Sequence, residues 1–122
     1  MLNRVVLIGM VGKSGIELRY SQTGKAVAKF SLGVKRPFKN QNGENEWDNV
    51  NIVVWGPQAE SCSQYLGPSK MAAADGRLQI RSYDGDDGQK RWITEVIAES
   101  VRFLSPKEQT IIPESELPEL NF

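Results

Sequence analysis

KAVAKFSLGVK (residues 25–35) and NVNIVVW (residues 49–55) are the two stretches of this sequence that decide the fold. In the first stretch apolar side chains recur at every second position, which is the period of a β-strand with one buried face. Lys29 and Lys35 share the other face of that strand. The second stretch is also strand-like, and its alternation places Trp55 opposite the core-forming side chains. The pair predicts a hairpin whose outward face is basic and aromatic.

The segment between these two strands, RPFKNQNGENEW (residues 36–47), lacks a regular apolar period. Pro37 and Gly43 both interrupt regular structure. Phe38 and Trp47 have no neighbouring apolar pattern that would draw them into a core. The segment therefore predicts a long hairpin loop that carries exposed aromatic side chains.

Composition indicates one globular domain with an uneven charge distribution. The chain has 122 residues, of which 39% are hydrophobic and 25% charged, and its formal net charge is zero. Residues 1–103 hold 14 basic and 11 acidic side chains, whereas residues 104–122 hold 1 and 4. A mildly basic body attracts polyanions even when the charge of the whole chain vanishes.

Cysteine and histidine usage argues against a disulfide-bonded, zinc-binding or enzymatic protein. Cys62 is the single cysteine and histidine is absent. The chain therefore lacks an internal disulfide, a thiol-rich zinc site and the commonest general base. No signal peptide or membrane span is apparent, so we expect a cytoplasmic protein without cofactors. An enzyme is the least favoured class.

GMVGKS (residues 9–14) has the look of a phosphate-binding loop. A Walker A loop requires four residues between its first glycine and the Gly-Lys-Ser, and only two separate Gly9 from Gly12. The following residues also lack the pattern of a helix whose N-terminus would hold an anion. The segment instead predicts a turn between two strands.

The remaining pattern is mainly β. Residues 3–8 are continuously apolar after Arg4, which predicts a strand buried on both faces, one of them by a partner subunit. Pro57 starts the one predicted helix, and the turn DGDDG connects the last two strands. The other predicted elements are a short strand, the helix and two final strands, at residues 16–20, 57–66, 77–83 and 91–98.

This order predicts an all-β fold, a five-stranded OB-fold barrel with one short helix between strands 3 and 4. The predicted domain is residues 1–104. Residues 105–122 contain three prolines and four glutamates, which predicts a disordered acidic tail.

Several separated motifs resemble those of the bacterial single-stranded DNA-binding protein family. They are MLNRVVLIG (1–9), ELRY (17–20), AVAKFSL (26–32), NIVVWG (51–56), QAE (58–60), GRLQ (76–79) and TEV (94–96). The resemblance covers about residues 1–104. It implies an OB fold and sequence-independent binding of single-stranded DNA in replication, recombination and repair, without catalysis. It also implies a homotetramer whose first strands, with Leu2, Arg4 and Val6, form a subunit contact.

The resemblance further implies which aromatic residues stack on bases. Phe38, Trp55 and Tyr83 fall at three stacking positions of the family, whereas a fourth is occupied by Asn49, which offers no aromatic ring. Trp47, on the same predicted face, is the candidate substitute. The segment 12–16 also departs from the family. The family usually has a basic residue after the first glycine, where Met10 stands here, and an Asp-Pro pair at the positions of Gly15 and Ile16.

Basic residues on the same strands are the predicted phosphate contacts, although a single exposed cation is often only solvated. They are Lys29, Lys35, Arg36, Lys39, Arg77, Arg81, Lys90 and Arg91. Trp92 is a further candidate DNA contact, and a subunit interface is the alternative for both Trp55 and Trp92. We expect the other large aromatics, Phe30, Phe103, Tyr20 and Tyr65, to lie in the core.

The acidic tail suggests a second interaction. Its residues Glu114, Glu116, Glu119 and Phe122 resemble the tip through which the family recruits replication and repair proteins. The run of aspartates, the penultimate proline and the long linker typical of the family are missing, so an inert end is the alternative. A different reading of the whole chain is an OB-fold protein-interaction module that has lost strong DNA affinity, as Asn49 and the neutral total charge suggest.

Overall fold

The computed structural model describes residues 1–104, which form six strands and one helix. These are β1 (Val5–Val11), β2 (Glu17–Tyr20), β3 (Ala26–Lys39), β4 (Asn45–Trp55), α1 (Pro57–Tyr65), β5 (Met71–Asp84) and β6 (Lys90–Phe103). The predicted tail, residues 105–122, lies outside the described residues. Within residues 1–104, no helix has the length and apolar character needed to cross a membrane.

Five of the strands close into a barrel. The strand order is β1-β5-β6-β4-β3, and a further antiparallel pairing of β1 with β3 joins the two ends. Residues 51–54 of β4 run parallel to residues 95–98 of β6. The short strand β2 pairs only with residues 26–29 of β3. Since α1 lies between β4 and β5, it connects the third and fourth strands of the barrel. This is the topology of an OB fold, and the predicted fold is confirmed.

The core is filled by the inward-facing side chains of the barrel strands. Because alternate residues of a strand point to the same face, β3, β4 and β6 each contribute a regular apolar set. The α1 helix covers one end of the barrel with Ala59 and Cys62, both fully buried. Burial raises the pKa of the Cys62 thiol to about 11. The buried strand residues include Ala28, Phe30, Leu32, Ile52, Val54 and Val96.

Two glycines allow the barrel to close tightly. A Cβ on Gly9 would fall against the carbonyl oxygen of Gly33, where β1 meets β3. A Cβ on Gly76 would fall on the carbonyl oxygen of Ile97, at an irregularity in the β5–β6 ladder. Both positions need a residue without a side chain because the backbones themselves approach so closely.

The predicted long loop is wrong. β3 continues to Lys39 and β4 begins at Asn45, so Phe38 and Trp47 lie in strands and only residues 40–44 form the turn. The ladder resumes beyond Pro37 because a register shift between Lys35 and Lys39 accommodates it. Proline lacks a backbone N–H and is tolerated at such irregularities.

Three of the four aromatics predicted for the core are exposed. Phe30 is buried, but Tyr20, Tyr65 and Phe103 have 58%, 57% and 43% of their surface exposed. Tyr20 ends the edge strand β2, and Tyr65 ends α1, where its ring lies 6.1 Å from that of Phe103. All three residues lie at or near the ends of their elements, and the apolar character of their neighbours did not predict this exposure.

Candidate nucleic-acid interface

The side of the sheet that points away from the core, called here the outward face, carries most of the predicted binding residues. Residues directly opposite each other on paired strands point to the same face. Along β3 and β4 the facing outward pairs are Lys29 with Val53, Ser31 with Asn51, Gly33 with Asn49, and Lys35 with Trp47. The outward side of these two strands is therefore mainly polar and aromatic, but it is interrupted beside Trp55 by Val53, which is buried.

The outward face is concave at its centre. A cavity of about 580 Å³ is bounded by the β1–β2 turn, residues 14–17, and by side chains of four strands. A second cavity of about 360 Å³ adjoins it, since both are lined by Ser14, Gly15 and Ser31. Together they form a groove that crosses the sheet. Its strand-borne lining includes Lys29, Ser31, Asn49, Asn51, Arg81, Ile93 and Glu95.

Two tryptophans lie at opposite ends of β4 on the outward face. Trp47 and Trp55 are 46% and 42% exposed, although each has a large apolar ring. The Lys25 ammonium lies 5.3 Å from the centroid of the Trp55 ring, a cation–π contact that leaves part of the ring open. Exposed rings of this kind are suited to stacking on flat, apolar partners.

The other predicted aromatics are exposed but more widely spaced. Phe38 is 80% exposed near the end of the β3–β4 hairpin. Tyr83 faces Arg91 near the tip of the β5–β6 hairpin, on the outward face. Trp92 faces Ser82, so it lies on the reverse side of that hairpin. The structure thus brings Tyr83 to the same side as the groove, whereas it places Trp92 away from it.

Arg36 is held by carboxylates across the β3–β4 hairpin. Its guanidinium donates to both carboxylate oxygens of Asp48, with a shortest distance of 2.8 Å, and to Glu46 at 2.7 Å. Hydrogen bonding and charge attraction from Asp48 raise the pKa of Arg36, and the bonds from Arg36 hold the pKa of Asp48 below its ordinary value. The positive charge at this position is therefore already compensated.

Two more of the predicted cations are paired in the same way. Arg81 Nε donates to Glu95 at 2.7 Å, and the Glu95 carboxylate is almost fully buried. This bond raises the pKa of Arg81. Arg91 pairs with Asp87 at 3.1 Å in the β5–β6 turn. Arg77 donates instead to a neutral group, the side chain of Gln79.

The lysines on the same surface differ from these arginines. Among residues 1–104, the outward lysines Lys29, Lys35 and Lys39 have no carboxylate within ion-pairing distance. Their charges are available for an external anion. Lys90 is also without an ion pair, but it faces Asp84 and so lies on the reverse side of the β5–β6 hairpin. Sequence patterns alone did not reveal this division, because the carboxylate partners of Arg36 and Arg81 are set by strand register rather than by spacing along the chain.

The residues predicted for a subunit contact lie at the start of the chain. Leu2 and Val6 are exposed, and so is Ile8 on the same side of β1. Arg4 pairs within the chain, with Asp75 at 2.7 Å and Glu99 at 3.2 Å. The predicted tail residues, Glu114, Glu116, Glu119 and Phe122, lie outside the described residues. No cluster of potential metal ligands occurs within residues 1–104.

A closed five-stranded barrel with open aromatic rings and unpaired lysines along one sheet face is typical of an oligonucleotide-binding OB fold. Comparison with known proteins identifies the family within this class of oligonucleotide-binding folds. The model described as "Single-strand binding protein family" matches residues 2–104. The chain belongs to this family.

Curated relatives and a solved structure agree with that assignment. The chain is 53% identical over 107 residues to a single-stranded DNA-binding protein of Halalkalibacterium halodurans, and 52% identical over 107 residues to single-stranded DNA-binding protein A of Bacillus subtilis. Each match covers 88% of this chain but only 63% and 62% of the relatives, so the chain spans about three-fifths of their length. The structure of a Plasmodium falciparum SSB complex with ssDNA superposes with a TM-score of 0.75 at 27% identity, covering 86% of this chain and 96% of that one.

Proposed function

We propose that this protein binds single-stranded DNA along the outward face, largely irrespective of sequence and without catalysing a reaction. The observation that carries the proposal is the placement of Trp47 and Trp55 on the exposed outward face of β4, with the groove crossing that strand between them. Every base has an aromatic face, so stacking on such rings contributes about 1 to 3 kcal/mol per base whatever the sequence. Phe38 and Tyr83 extend the stacking surface to the two hairpins.

Phosphate contacts supply the second part of the affinity. Lys29, Lys35 and Lys39 follow the outward side of β3. Lys90 faces Asp84 and therefore lies with Trp92 on the reverse side of the β5–β6 hairpin, away from this surface. Each phosphate that a cation neutralises releases counterions, so the logarithm of affinity for a single strand falls with the logarithm of salt by about 0.7 per contact. Arg36, Arg81 and Arg91 contribute less unless their carboxylate partners give way, whereas Arg77 is free of such a partner.

Binding of this kind covers unpaired strands and keeps them from re-pairing or being cut. It suits a role in replication, recombination and repair, in the cytoplasm on the nucleoid. The names of the bacterial relatives, single-stranded DNA-binding proteins, support this role.

The functional unit in this proposal is a homotetramer. Val6 and Ile8 alternate outward from β1 and are 62% and 55% exposed in the single chain, which leaves an apolar strand face without cover. A second copy pairing there would bury these side chains together with Leu2. Sedimentation of the wild type and of Val6→Asp/Ile8→Asp tests this, with a smaller assembly expected for the variant and an unchanged mass contradicting it.

The acidic tail is proposed to recruit replication and repair proteins through Glu114, Glu116, Glu119 and Phe122. Its charge is opposite to that of the body, so it is suited to a basic pocket on another protein. Deleting residues 114–122 is expected to abolish binding to at least one helicase, polymerase or nuclease of the same cell. Unchanged binding to all of them would end the idea.

A titration with a poly-dT oligonucleotide at two salt concentrations tests the main proposal. We expect strong quenching of tryptophan fluorescence on binding, because stacked bases contact the indole rings, and weaker affinity at the higher salt concentration. Absence of binding at low salt would contradict the proposal and would favour a protein-interaction module instead.

A further inference from the structure

The turn that joins β2 to β3 fixes the backbone of Lys25. The Ser21 N–H donates to the Lys25 carbonyl oxygen at 2.8 Å, and the Lys25 N–H donates to the Ser21 hydroxyl oxygen at 3.0 Å. The Gly24 N–H donates to the Ser21 carbonyl oxygen at 2.8 Å, and the φ of Gly24 is 83°, a value that favours glycine. Lys25 is therefore held in one place immediately before β3 begins.

The backbone of Trp55 is fixed beside the same end of β3. Val27 faces Trp55 across the β3–β4 ladder, and the Gly56 N–H donates to the Ala26 carbonyl oxygen at 2.9 Å. Because alternate residues along a strand share a face, Lys25 precedes Val27 on the side that carries the indole ring. The ring and the Lys25 side chain are thus presented to each other by two firmly held segments of backbone.

The Lys25 ammonium contacts the ring rather than a carboxylate. Its Nζ atom lies 5.3 Å from the centroid of the Trp55 ring, within the range of cation–π attraction. Lys25 takes part in no ion pair within the part of the chain that the structure describes. Trp55 is nevertheless 42% exposed, so the ring keeps area for a second partner.

We propose that Lys25 is a positioning residue for Trp55, holding one face of the indole ring so that a base stacks on the opposite face. Immobilising a side chain on binding lowers affinity, so a ring that is already held binds a base more tightly. The inference rests on the proposed function, in which Trp55 is a stacking residue. It gives Lys25 a role different from that of the lysines on β3, because its effect on DNA binding acts through the ring and not through a phosphate.

A double-mutant cycle tests this role. The Kd for poly-dT is measured by anisotropy, at one salt concentration, for the wild type, Lys25→Ala, Trp55→Ala and the double variant. We expect Lys25→Ala to weaken binding at least about threefold when Trp55 is present and less than about 1.5-fold when it is absent. Lys39→Ala, at the far end of β3, is the matched control and is expected to weaken binding by the same factor in both backgrounds.

A second measurement needs no DNA. Trp47→Phe/Trp92→Phe retains only Trp55, so quenching of its fluorescence by acrylamide reports access to that ring. Adding Lys25→Ala is expected to increase the quenching, because one face of the ring loses its cover. Adding Lys25→Arg is expected to leave it unchanged, since a guanidinium also forms cation–π contacts. Equal quenching with lysine and alanine at position 25 would overturn the proposal.

The possible failures are distinguishable. Equal weakening by Lys25→Ala with and without Trp55 would make Lys25 an ordinary phosphate contact, and tighter binding would mean that Lys25 obstructs the stacking face. Either result, or an unchanged Kd in Lys25→Ala, would overturn the positioning role while leaving the proposed function intact. Failure of the wild type to bind poly-dT would overturn both.

Discussion

The β3–β4 and β5–β6 hairpins are built alike but present different surfaces. Each is a long antiparallel pair that extends past the closed barrel, and each contains an irregularity in its ladder. The outward side of the first carries Trp47 and Trp55 beside lysines. The second carries Tyr83 on its outward side, while its reverse side exposes the apolar residues Leu78, Ile80 and Trp92. Only surfaces continuous with the groove are suited to bind a strand, so exposure alone does not make an aromatic residue part of the site.

Ion pairing separates arginines from lysines in both hairpins, with Arg77 of the second hairpin as the exception. Arg36 in the first hairpin and Arg81 and Arg91 in the second are paired with carboxylates, whereas Lys35, Lys39 and Lys90 are not paired within residues 1–104. The planar guanidinium matches a carboxylate with two parallel hydrogen bonds, whereas an ammonium is a compact and strongly hydrated charge. The paired arginines therefore link neighbouring segments of each hairpin, whereas the charges of these lysines are not compensated within residues 1–104.

The largest expected effect concerns the aromatics. Replacing Trp47 and Trp55 together by alanine removes two stacking surfaces, at about 1 to 3 kcal/mol each, so affinity for poly-dT is expected to fall by about 100-fold or more. Trp92→Ala, on the reverse side of the second hairpin, is expected to change affinity by less than about threefold. Anisotropy titrations at one salt concentration measure both. Equal losses of affinity in the two variants would contradict the claim that DNA contacts the outward face and not the reverse side of the second hairpin.

The next effect concerns the irregularity of the β5–β6 hairpin. Gly76→Ala forces a Cβ onto the carbonyl oxygen of Ile97, and the backbone shift needed to relieve it is expected to lower the free energy of unfolding by about 1 to 3 kcal/mol. Gly67→Ala is the control, since no atom lies within 4 Å of its added Cβ. Urea denaturation of both variants makes the comparison, and similar midpoints would contradict the account of barrel closure.

A smaller effect separates the two kinds of cation. Lys35→Ala is expected to reduce the salt dependence of DNA binding by about 0.7 on the log-log slope, because one phosphate contact is lost. Arg91→Ala removes a charge already paired with Asp87 and is expected to change the slope less. Kd values measured over a series of salt concentrations give the slope for each variant. A larger change for Arg91→Ala would reverse the assignment of roles.

The smallest effect is electrostatic and lies within the first hairpin. Arg36 lowers the pKa of Asp48 below its ordinary value of 3.8, so the stabilisation from this pair is fully present above pH 3.8 and is lost as pH falls through the lowered pKa. In Arg36→Ala, the pKa of Asp48 is expected to rise back toward 3.8. Carboxylate chemical shifts followed by NMR titration measure this value, and an unchanged pKa in the variant would show that the pair does not form in solution.

The sequence predicted the barrel well because apolar alternation survives wherever one strand face is buried. It predicted the length of the hairpin strands poorly, because Pro37 is typical of a loop and the sequence does not show the register shift that lets the strand continue past it. The neutralisation of the Arg36 charge could not be predicted from the sequence for a related reason. Asp48 lies twelve residues away along the chain and approaches Arg36 only through strand pairing. Similarly, Asn51 alternates to the outward side, but its place between Ser31 and Glu95 depends on which strands become neighbours.

The central claim is that DNA runs along the outward face of β4, and fluorescence of tryptophan variants tests it most directly. Trp92→Phe retains only Trp47 and Trp55, whereas Trp47→Phe/Trp55→Phe retains only Trp92. On titration with poly-dT, we predict strong quenching of the first protein and little quenching of the second while its DNA binding is still detected by anisotropy. Strong quenching of Trp92 together with unchanged emission from Trp47 and Trp55 would contradict the account.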